Sequence, residues 1–235
     1  MGVHSIYFPD LAPVPGGVIT VLGEEAHHAL RVKRVGVGDV VRLCNGRGVV
    51  AEARLVDSRK TRDGWAMDLD VMSAGLVPQT RPRLTVLAAA PKGERLAAMI
   101  DGLSQVGAAS WSPLISERTV VEPREGKLER LERVALESMK QCGRAWVLEI
   151  GTPVEFGAAA GGAVLMADAS GERHARIGGD ELSLMIGPEG GWSERELRAG
   201  REAGFRVVSF GLHVMRTEVA AVVGAATVLE AERAG

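Results

Sequence analysis

The sequence is poor in cysteine and has no long apolar run. Its two cysteines, Cys44 and Cys142, lie far apart and form no C-x-x-C pair, which argues against a disulfide framework and a cysteine-based zinc site. The first ten residues show neither the basic start nor the apolar stretch of a signal peptide. The longest apolar run, residues 219–229, is too short to cross a bilayer. We therefore expect a cytoplasmic protein with no membrane partner.

An excess of positive charge is also missing, since 28 lysines and arginines stand against 30 aspartates and glutamates. The net charge of −2 argues at first against a nucleic-acid partner, because neutralising phosphates requires clustered cations. The two parts of the chain differ, however. Residues 1–83 carry 11 cationic and 9 anionic side chains, whereas the remainder carries 17 and 21. A nucleic-acid role therefore stays open for the first part.

Residues 1–74 are predicted to form a small antiparallel β-barrel or sheet. A short helix is expected over residues 23–35, and the segments after it alternate between apolar and polar residues, as strands do. The turn dipeptides Asn45-Gly46 and Asp63-Gly64 separate these segments in the manner of β-hairpins. Residues 75–83 contain two prolines and show no periodicity, so we predict a linker there.

Residues 84–235 alternate between apolar and amphipathic segments. Amphipathic or apolar helices are predicted over residues 93–107, 127–143, 193–203 and 217–232. Apolar strands are predicted at residues 83–90, 110–115, 163–168, 182–187 and 205–210. Strands that are apolar throughout and alternate with helices are typical of a mostly parallel sheet covered on both faces. The fold class predicted for this part is therefore α/β.

The stretch LMIGPEGGWSERE, residues 184–196, predicts a buried strand, a tight glycine-rich loop and a capped helix start. Ser193 and Glu196 have the spacing of a capping box, in which each side chain bonds the other residue's backbone N–H. The loop matches neither the G-x-G-x-x-G dinucleotide signature nor a P-loop. Two interpretations stay open at this point: a tight strand-to-helix connection, or a loop that presents backbone donors to a ligand.

A second glycine-bearing loop, GLHVMRTE at residues 211–218, follows the next predicted strand. Ligands of open α/β sheets bind beyond the carboxyl ends of the strands, so the two loops are expected to line one pocket. Thr217 is a candidate cap for the last helix. Arg216 and Glu218 supply a cation and a candidate base, although a solvated surface ion pair is the alternative interpretation.

Two further features carry alternatives of their own. The last helix is apolar nearly all round its middle, which indicates burial either in the core or against a second subunit, and we favour a dimer contact. Arg31, Lys33 and Arg34 form a cluster that is either a solvated face or a track for a phosphate backbone. The adjacent His27 and His28 point about 100° apart on a helix and make a poor metal pair, so no metal is predicted.

Several segments together resemble the SPOUT-class RNA methyltransferases, and within that class the ribosomal RNA small subunit methyltransferase E family. The two signature loops of that family are matched by MIGPEGGWSERE (185–196) and GLHVMRTEVAAV (211–222). Its N-terminal PUA-like domain is matched by residues 27–48, and its catalytic domain by residues 87–121 and 135–145. The resemblance thus covers almost the whole chain. It implies a PUA-like β-barrel over residues 1–74 and a SPOUT α/β domain with a deep C-terminal trefoil knot over residues 84–235.

By this resemblance the protein is expected to be a homodimer that uses S-adenosylmethionine to methylate N3 of a uridine in 16S rRNA, near the decoding site of the small subunit. The catalytic candidates are Arg216, to stabilise developing oxygen charge, and Glu218, as a weaker choice for the base. The expected cofactor-binding residues are Met166, Gly187, Glu189, Gly190, Gly191, Gly211, Leu212, Met215, Arg216 and Thr217. The expected RNA contacts are Arg31, Lys33, Arg34, Lys92, Arg118 and Arg144.

Two alternatives to this activity stay open. One is a SPOUT enzyme that methylates another RNA atom, such as a ribose 2′-OH. The other is a non-catalytic RNA-binding or assembly protein that keeps the fold.

Overall fold

The computed structural model describes residues 3–62, 64–120, 125–158 and 162–233. The chain forms two compact units, residues 1–79 with 139–147 and residues 80–138 with 148–235. The first unit therefore differs from the predicted continuous domain over residues 1–74, because it includes a segment from the middle of the chain. The predicted linker differs as well, since a strand extends to Leu76.

The first unit is built on a five-stranded sheet in the order β1-β3-β4-β5-β2. Its strands are β1 (Ser5–Tyr7), β2 (Val18–Leu22), β3 (Val40–Cys44), β4 (Val49–Thr61) and β5 (Gly64–Leu76). The pairs β3–β4, β4–β5 and β2–β5 are antiparallel, as predicted, whereas β1 pairs with β3 in parallel. The hairpin turn at Asn45 is held locally, because its side-chain oxygen accepts from the backbone N–H groups of Arg47 (2.8 Å) and Val49 (3.1 Å).

The segment predicted as one short helix over residues 23–35 has a different geometry. Helix α1 (Gly23–His27) continues as a π-helix (His28–Val32). A π-helix is rare and is frequently found at functional positions. It is followed by Arg34, whose φ of +58° lies in the left-handed region that few residues other than glycine adopt.

Residues 145–147 belong to the first unit because they bond to its hairpin turn. The backbone N–H of Gly48 donates to the carbonyl of Ala145 (2.9 Å), and that of Val147 donates to the carbonyl of Gly46 (3.0 Å). A Cβ atom on Gly48 would lie only 2.5 Å from the ring of Trp146. This close approach explains why residue 48 is a glycine. The contact with Trp146 could not be predicted from the sequence pattern.

The second unit contains a seven-stranded sheet. Six strands follow the order β12-β10-β11-β6-β7-β8, β9 also pairs with β7, and all of these pairs are parallel. The strands are β6 (Arg83–Ala88), β7 (Ser110–Ile115), β8 (Glu149–Ile150), β9 (Val154–Glu155), β10 (Ala163–Arg173), β11 (Glu181–Ile186) and β12 (Arg206–Ser209). The predicted α/β class with a parallel sheet is confirmed, although β10 extends beyond its predicted end at residue 168. The trefoil knot stays a prediction.

Four helices accompany this sheet: α2 (Arg95–Val106), α3 (Glu125–Cys142), α4 (Glu194–Glu202) and α5 (Thr217–Arg233). Helix α5 packs closely on α2, because a Cβ atom on Gly102 would lie 2.7 Å from the side chain of Val222. Gly224 of α5 likewise faces Leu184 and Phe210. One face of α5 is thus buried inside the second unit, while Val219 stays 45% exposed. Of the two alternatives for this helix, burial in the core is therefore correct for that face.

Among the residues that the structure describes, no helix combines the length and the apolar character that a membrane crossing requires. Nor do the described ranges contain a group of three or more histidine, cysteine, aspartate or glutamate side chains placed to hold a metal ion.

Candidate active site

A cavity of about 520 Å³ lies in the second unit at the carboxyl ends of the parallel strands β11 and β12, beside the middle of β10, which pairs with both. This volume lies in the range of about 300–1,000 Å³ that is usual for small-molecule sites. The lining of the cavity comes from three segments of the chain. These are Ala167, Asp168 and Ala169 within β10, residues 186–192 at and after the end of β11, and residues 208–215 with Thr217 and Ala220. The prediction that two glycine-bearing loops meet at one pocket is confirmed.

The first loop, residues 187–192, approaches its surroundings closely. A Cβ atom on Gly187 would lie 3.1 Å from the indole ring of Trp192, so the ring leaves little room for a side chain there. The indole is itself fixed, because its Nε1 donates to the carbonyl oxygen of Ala167 at 2.7 Å. Gly191 has a φ of +67°, which favours glycine, and its N–H closes a turn on the carbonyl of Pro188 (2.8 Å).

Helix α4 begins directly after this loop with the predicted capping box. The hydroxyl of Ser193 accepts from the backbone N–H of Glu196 (3.1 Å), and the carboxylate of Glu196 accepts from the backbone N–H of Ser193 (2.9 Å). Glu196 is buried, at 4% exposure. The cap therefore fixes where the loop ends and the helix starts.

The second loop, residues 210–216, presents its side chains to solvent. Leu212 is 88% exposed and Val214 is 94% exposed. Thr217 was the candidate cap of helix α5, which would then begin at residue 218. The helix begins at Thr217 itself, and the carbonyl of Arg216 accepts from the N–H groups of Val219 and Ala220. The buried hydroxyl of Thr217 donates instead to the carbonyl of Gly187 (3.3 Å). Thr217 thus joins the second loop to the first.

An arginine that sequence reasoning missed lies between two carboxylates beside the cavity. Nη1 of Arg95, the first residue of α2, is 3.5 Å from Oε1 of Glu189 and 3.7 Å from Oε2 of Glu218. The side chain of Glu218 is only 13% exposed, and its Oε2 has no hydrogen-bond partner among the described residues. Arg95 follows β6, whose carboxyl end lies at the same edge of the sheet as that of β11. Its position after a predicted strand was the one feature of the sequence that could have indicated a place near the site.

Most of the expected cofactor residues meet at the cavity. Its lining includes Gly187, Glu189, Gly190, Gly191, Gly211, Leu212, Met215 and Thr217. Met166 and Arg216 are not among the lining residues. Met166 is fully buried in an apolar cluster with Leu87, Leu114 and Trp192, and Arg216 is exposed between the lining residues Met215 and Thr217.

The expected RNA contacts are divided between the two units. Arg31, Lys33 and Arg34 are exposed at the end of the π-helix in the first unit, where Arg31 also lies 5.5 Å from the ring centre of Trp65. Arg144 belongs to the first unit too, and burial lowers the pKa of its guanidinium. Lys92 and Arg118 belong to the second unit. Nη1 of Arg118 donates to the carbonyl oxygens of Gly190 (2.7 Å) and Trp192 (3.2 Å).

Known protein families match both units. The RNA methyltransferase domain family matches residues 78–229, and the RNA methyltransferase PUA domain family matches residues 21–62. The ribosomal RNA small subunit methyltransferase E of Mycobacterium bovis is 33% identical over 238 residues, covering 94% of this chain and 89% of its own length. The chain belongs to this methyltransferase family. The predicted PUA-like β domain and methyltransferase domain are thereby confirmed.

Other relatives are more distant in sequence, and two solved structures are similar in fold. The ribosomal RNA small subunit methyltransferase E of Synechocystis is 29% identical over 223 residues, covering 89% of this chain and 72% of its own length. A Legionella pneumophila methyltransferase, solved in complex with bound SAM, aligns with a TM-score of 0.82 at 26% identity, covering 98% of each chain. The family member from Neisseria gonorrhoeae aligns with a TM-score of 0.84 at 23% identity, covering 96% of each chain. At this identity, the similarity to the Neisseria protein shows only that the fold is shared.

Proposed function

We propose that this protein transfers a methyl group from S-adenosylmethionine to N3 of a uridine in 16S rRNA, near the decoding site of the small ribosomal subunit. The observation that carries the proposal is the cavity at the ends of β11 and β12, beside the middle of β10, at which both signature loops of the family meet. A similar Legionella methyltransferase was solved with SAM bound, and the curated relatives carry the name of a small-subunit rRNA methyltransferase.

The cavity suits S-adenosylmethionine in size and in chemistry. Glycines at positions 187, 190, 191 and 211 bring backbone close to the lumen, so that adenosine and methionine groups are held by main-chain atoms and by shape. Asp168 and Glu189 add acidic side chains to the lining. When bound, S-adenosylmethionine supplies an activated methyl group, and the main task of the protein is then to align donor and acceptor. Alignment of this kind contributes roughly 7–11 kcal/mol to lowering a barrier.

The uridine N3 carries a proton that leaves before or during methyl transfer. We assign to Arg216 the stabilisation of the negative charge that develops on the uracil oxygens, because it is an exposed cation whose chain neighbours Met215 and Thr217 both line the cavity. Glu218 is the candidate acceptor of the proton. Its poorly exposed carboxylate has one oxygen without a hydrogen-bond donor among the described residues.

The RNA is held, in this proposal, by cations from both units. Arg31, Lys33 and Arg34 are exposed in the first unit, and Arg34 has a left-handed backbone conformation of the kind that clusters at functional sites. Lys92 and Arg144 are the further candidates. Binding through such contacts weakens steeply as salt is added.

We also propose that the active form is a homodimer acting in the cytoplasm. Leu212 and Val214 are almost fully exposed, and Val219 is 45% exposed on the first turn of α5. Exposed apolar patches often mark protein–protein contacts, and these three side chains lie within one short segment of the chain. The thiols of Cys44 and Cys142 are both free, which agrees with a reducing compartment.

The proposal is tested by incubating the purified protein with methyl-labelled S-adenosylmethionine and with small ribosomal subunits that lack the modification. Nucleoside mass spectrometry then identifies the product. Labelled N3-methyluridine is the expected result. Label on a ribose or on another base would show that the target atom is not N3 of uridine. Complete absence of label, with protein that is folded, would favour an RNA-binding or assembly role.

A further inference from the structure

The turn that follows β7, residues 116–119, is rigid in its own right. The hydroxyl of Thr119 accepts from the backbone N–H of Ser116 (2.8 Å) and donates to the carbonyl of Leu114 (3.3 Å). The backbone N–H of Thr119 closes the turn on the carbonyl of Ser116 (3.0 Å). This turn therefore holds Glu117 and Arg118 at fixed positions beside the first loop.

Arg118 uses its guanidinium on the backbone of the first loop. Nη1 donates at 2.7 Å to the carbonyl oxygen of Gly190 and at 3.2 Å to that of Trp192, and both residues line the cavity. The stem of the same side chain packs on the loop, since a Cβ atom on Gly190 would lie 3.4 Å from Cδ of Arg118. A cation that donates to the carbonyls of residues 190 and 192 determines their direction and, through the planar peptide groups, that of the N–H groups of Gly191 and Ser193.

A second connection joins the same turn to the end of the loop. The backbone N–H of Glu117 donates to Oε1 of the buried Glu196 (2.9 Å), whose Oε2 accepts from the N–H of Ser193. The two oxygens of one carboxylate thus link the turn to the start of α4. Together with Arg118, this contact fixes the first loop at its middle and at its end.

We propose that Arg118 is a positioning residue for the cofactor: it holds the first loop in the shape that S-adenosylmethionine binds, and it does not contact RNA. The inference rests on the proposed cofactor. It replaces the role expected from the sequence, in which Arg118 contacts a phosphate, because the guanidinium already serves two carbonyls of the cavity wall.

The test compares two affinities in the full-length protein. Calorimetric titration measures the dissociation constant for S-adenosylmethionine, and filter binding across a salt series measures affinity for unmodified small subunits. We expect Arg118→Ala to raise the cofactor dissociation constant by about 10- to 100-fold, through loss of charge-assisted hydrogen bonds. Subunit affinity and the slope of its salt dependence should stay unchanged.

Two further variants complete the test. Arg195→Ala removes an arginine that is 88% exposed and lies 3.4 Å from the carboxylate of Glu117, so it controls for the loss of one positive charge nearby. It should leave the cofactor affinity unchanged. Arg118→Lys retains the charge and can donate to a carbonyl, so it should restore part of the cofactor affinity and reveals the effect even if the alanine variant does not fold.

The opposite pattern would overturn the inference. If Arg118 contacts a phosphate, Arg118→Ala leaves the cofactor affinity intact and lowers the salt slope of subunit binding by about 0.7, the change for one contact with single-stranded nucleic acid. Failure of the unsubstituted protein to bind S-adenosylmethionine would overturn the proposed function as well. Binding by the unsubstituted protein that Arg118→Ala does not weaken would overturn this inference alone.

Discussion

The first loop, residues 187–192, and the second loop, residues 210–216, line the same cavity but are held very differently. The first loop is bonded to Arg118, to Ala167 and to Thr217, and Arg95 pairs with its Glu189. In the part of the chain that the structure describes, residues 211–215 donate no backbone hydrogen bond. Leu212 and Val214 are almost fully exposed.

This difference indicates a division of labour. A loop fixed by its neighbours binds a ligand without first losing conformational freedom, which improves affinity. A loop with few buried contacts opens at low free energy and is suited to closing over a ligand. We therefore expect the first loop to be a preformed floor of the cavity and the second loop to become ordered when the ligand binds.

The largest expected effect separates chemistry from binding at the second loop. Arg216→Ala should lower single-turnover methyl transfer by about 10²- to 10³-fold, the usual loss when one donor to a developing oxyanion is removed. Cofactor affinity from calorimetry should change little. Arg233→Ala, on the exposed last turn of α5, is the matched control. An equal loss of rate and cofactor affinity would show that Arg216 helps to hold the cofactor instead.

A pair of glycine substitutions tests the contrast in rigidity. Gly191 and Gly211 both have a positive φ, at +67° and +76°, so alanine is strained at either position. In the fixed loop the strain of about 1–2 kcal/mol is present with and without the ligand, so Gly191→Ala should destabilise the fold and weaken cofactor binding by only about two- to threefold. Gly211→Ala should weaken cofactor binding by about tenfold, because the second loop relaxes the strain when it is free and must take it up again when the ligand orders it. Equal effects would argue against different rigidity.

Exposure of the second loop also leads to a prediction about self-association. The double variant Leu212→Ser, Val214→Ser should weaken the proposed dimer by at least about tenfold in sedimentation experiments, since burying each apolar side chain contributes about 1.5–3 kcal/mol. Val120→Ser provides the control, because Val120 is 75% exposed elsewhere in the second unit. Unchanged self-association of the double variant would exclude these side chains from the interface.

The smallest expected effect concerns the cap that ends the first loop. Ser193→Ala removes the acceptor for the N–H of Glu196 and should lower the free energy of unfolding by about 1 kcal/mol, measured by denaturant titration. Cofactor affinity should fall by less than about fivefold, because Arg118 and Trp192 still hold the loop. A larger fall would make the cap, and not the Arg118 contact, the main support.

The features that were predictable from the sequence depend on neighbouring residues. The strand before Gly187, the capping box of Ser193 and Glu196, and the two loops at one edge of a parallel sheet all follow from short-range pattern and sheet topology. The contacts of Arg95 with Glu189 and of Arg118 with Gly190 join residues more than 70 positions apart. No periodicity encodes such pairings, since they depend on how the strands order in the sheet.

Local sequence pattern also fails to predict the structure where two backbone geometries accept the same residues. The segment around His28 reads as an α-helix but forms a π-helix, and Thr217 reads as a cap but donates to Gly187. The short strand Ser5–Tyr7 is too brief to show alternation and is defined by its parallel partner β3. In each case the tertiary contact decides the local structure.

The most direct test of this account is amide hydrogen exchange on the full-length protein, with and without saturating S-adenosylmethionine at one protein concentration. If the cavity binds the cofactor between a preformed loop and a closing one, exchange should slow strongly at residues 211–216 and change little at residues 187–192. Protection confined to residues 187–192, or absent from both loops, would contradict it.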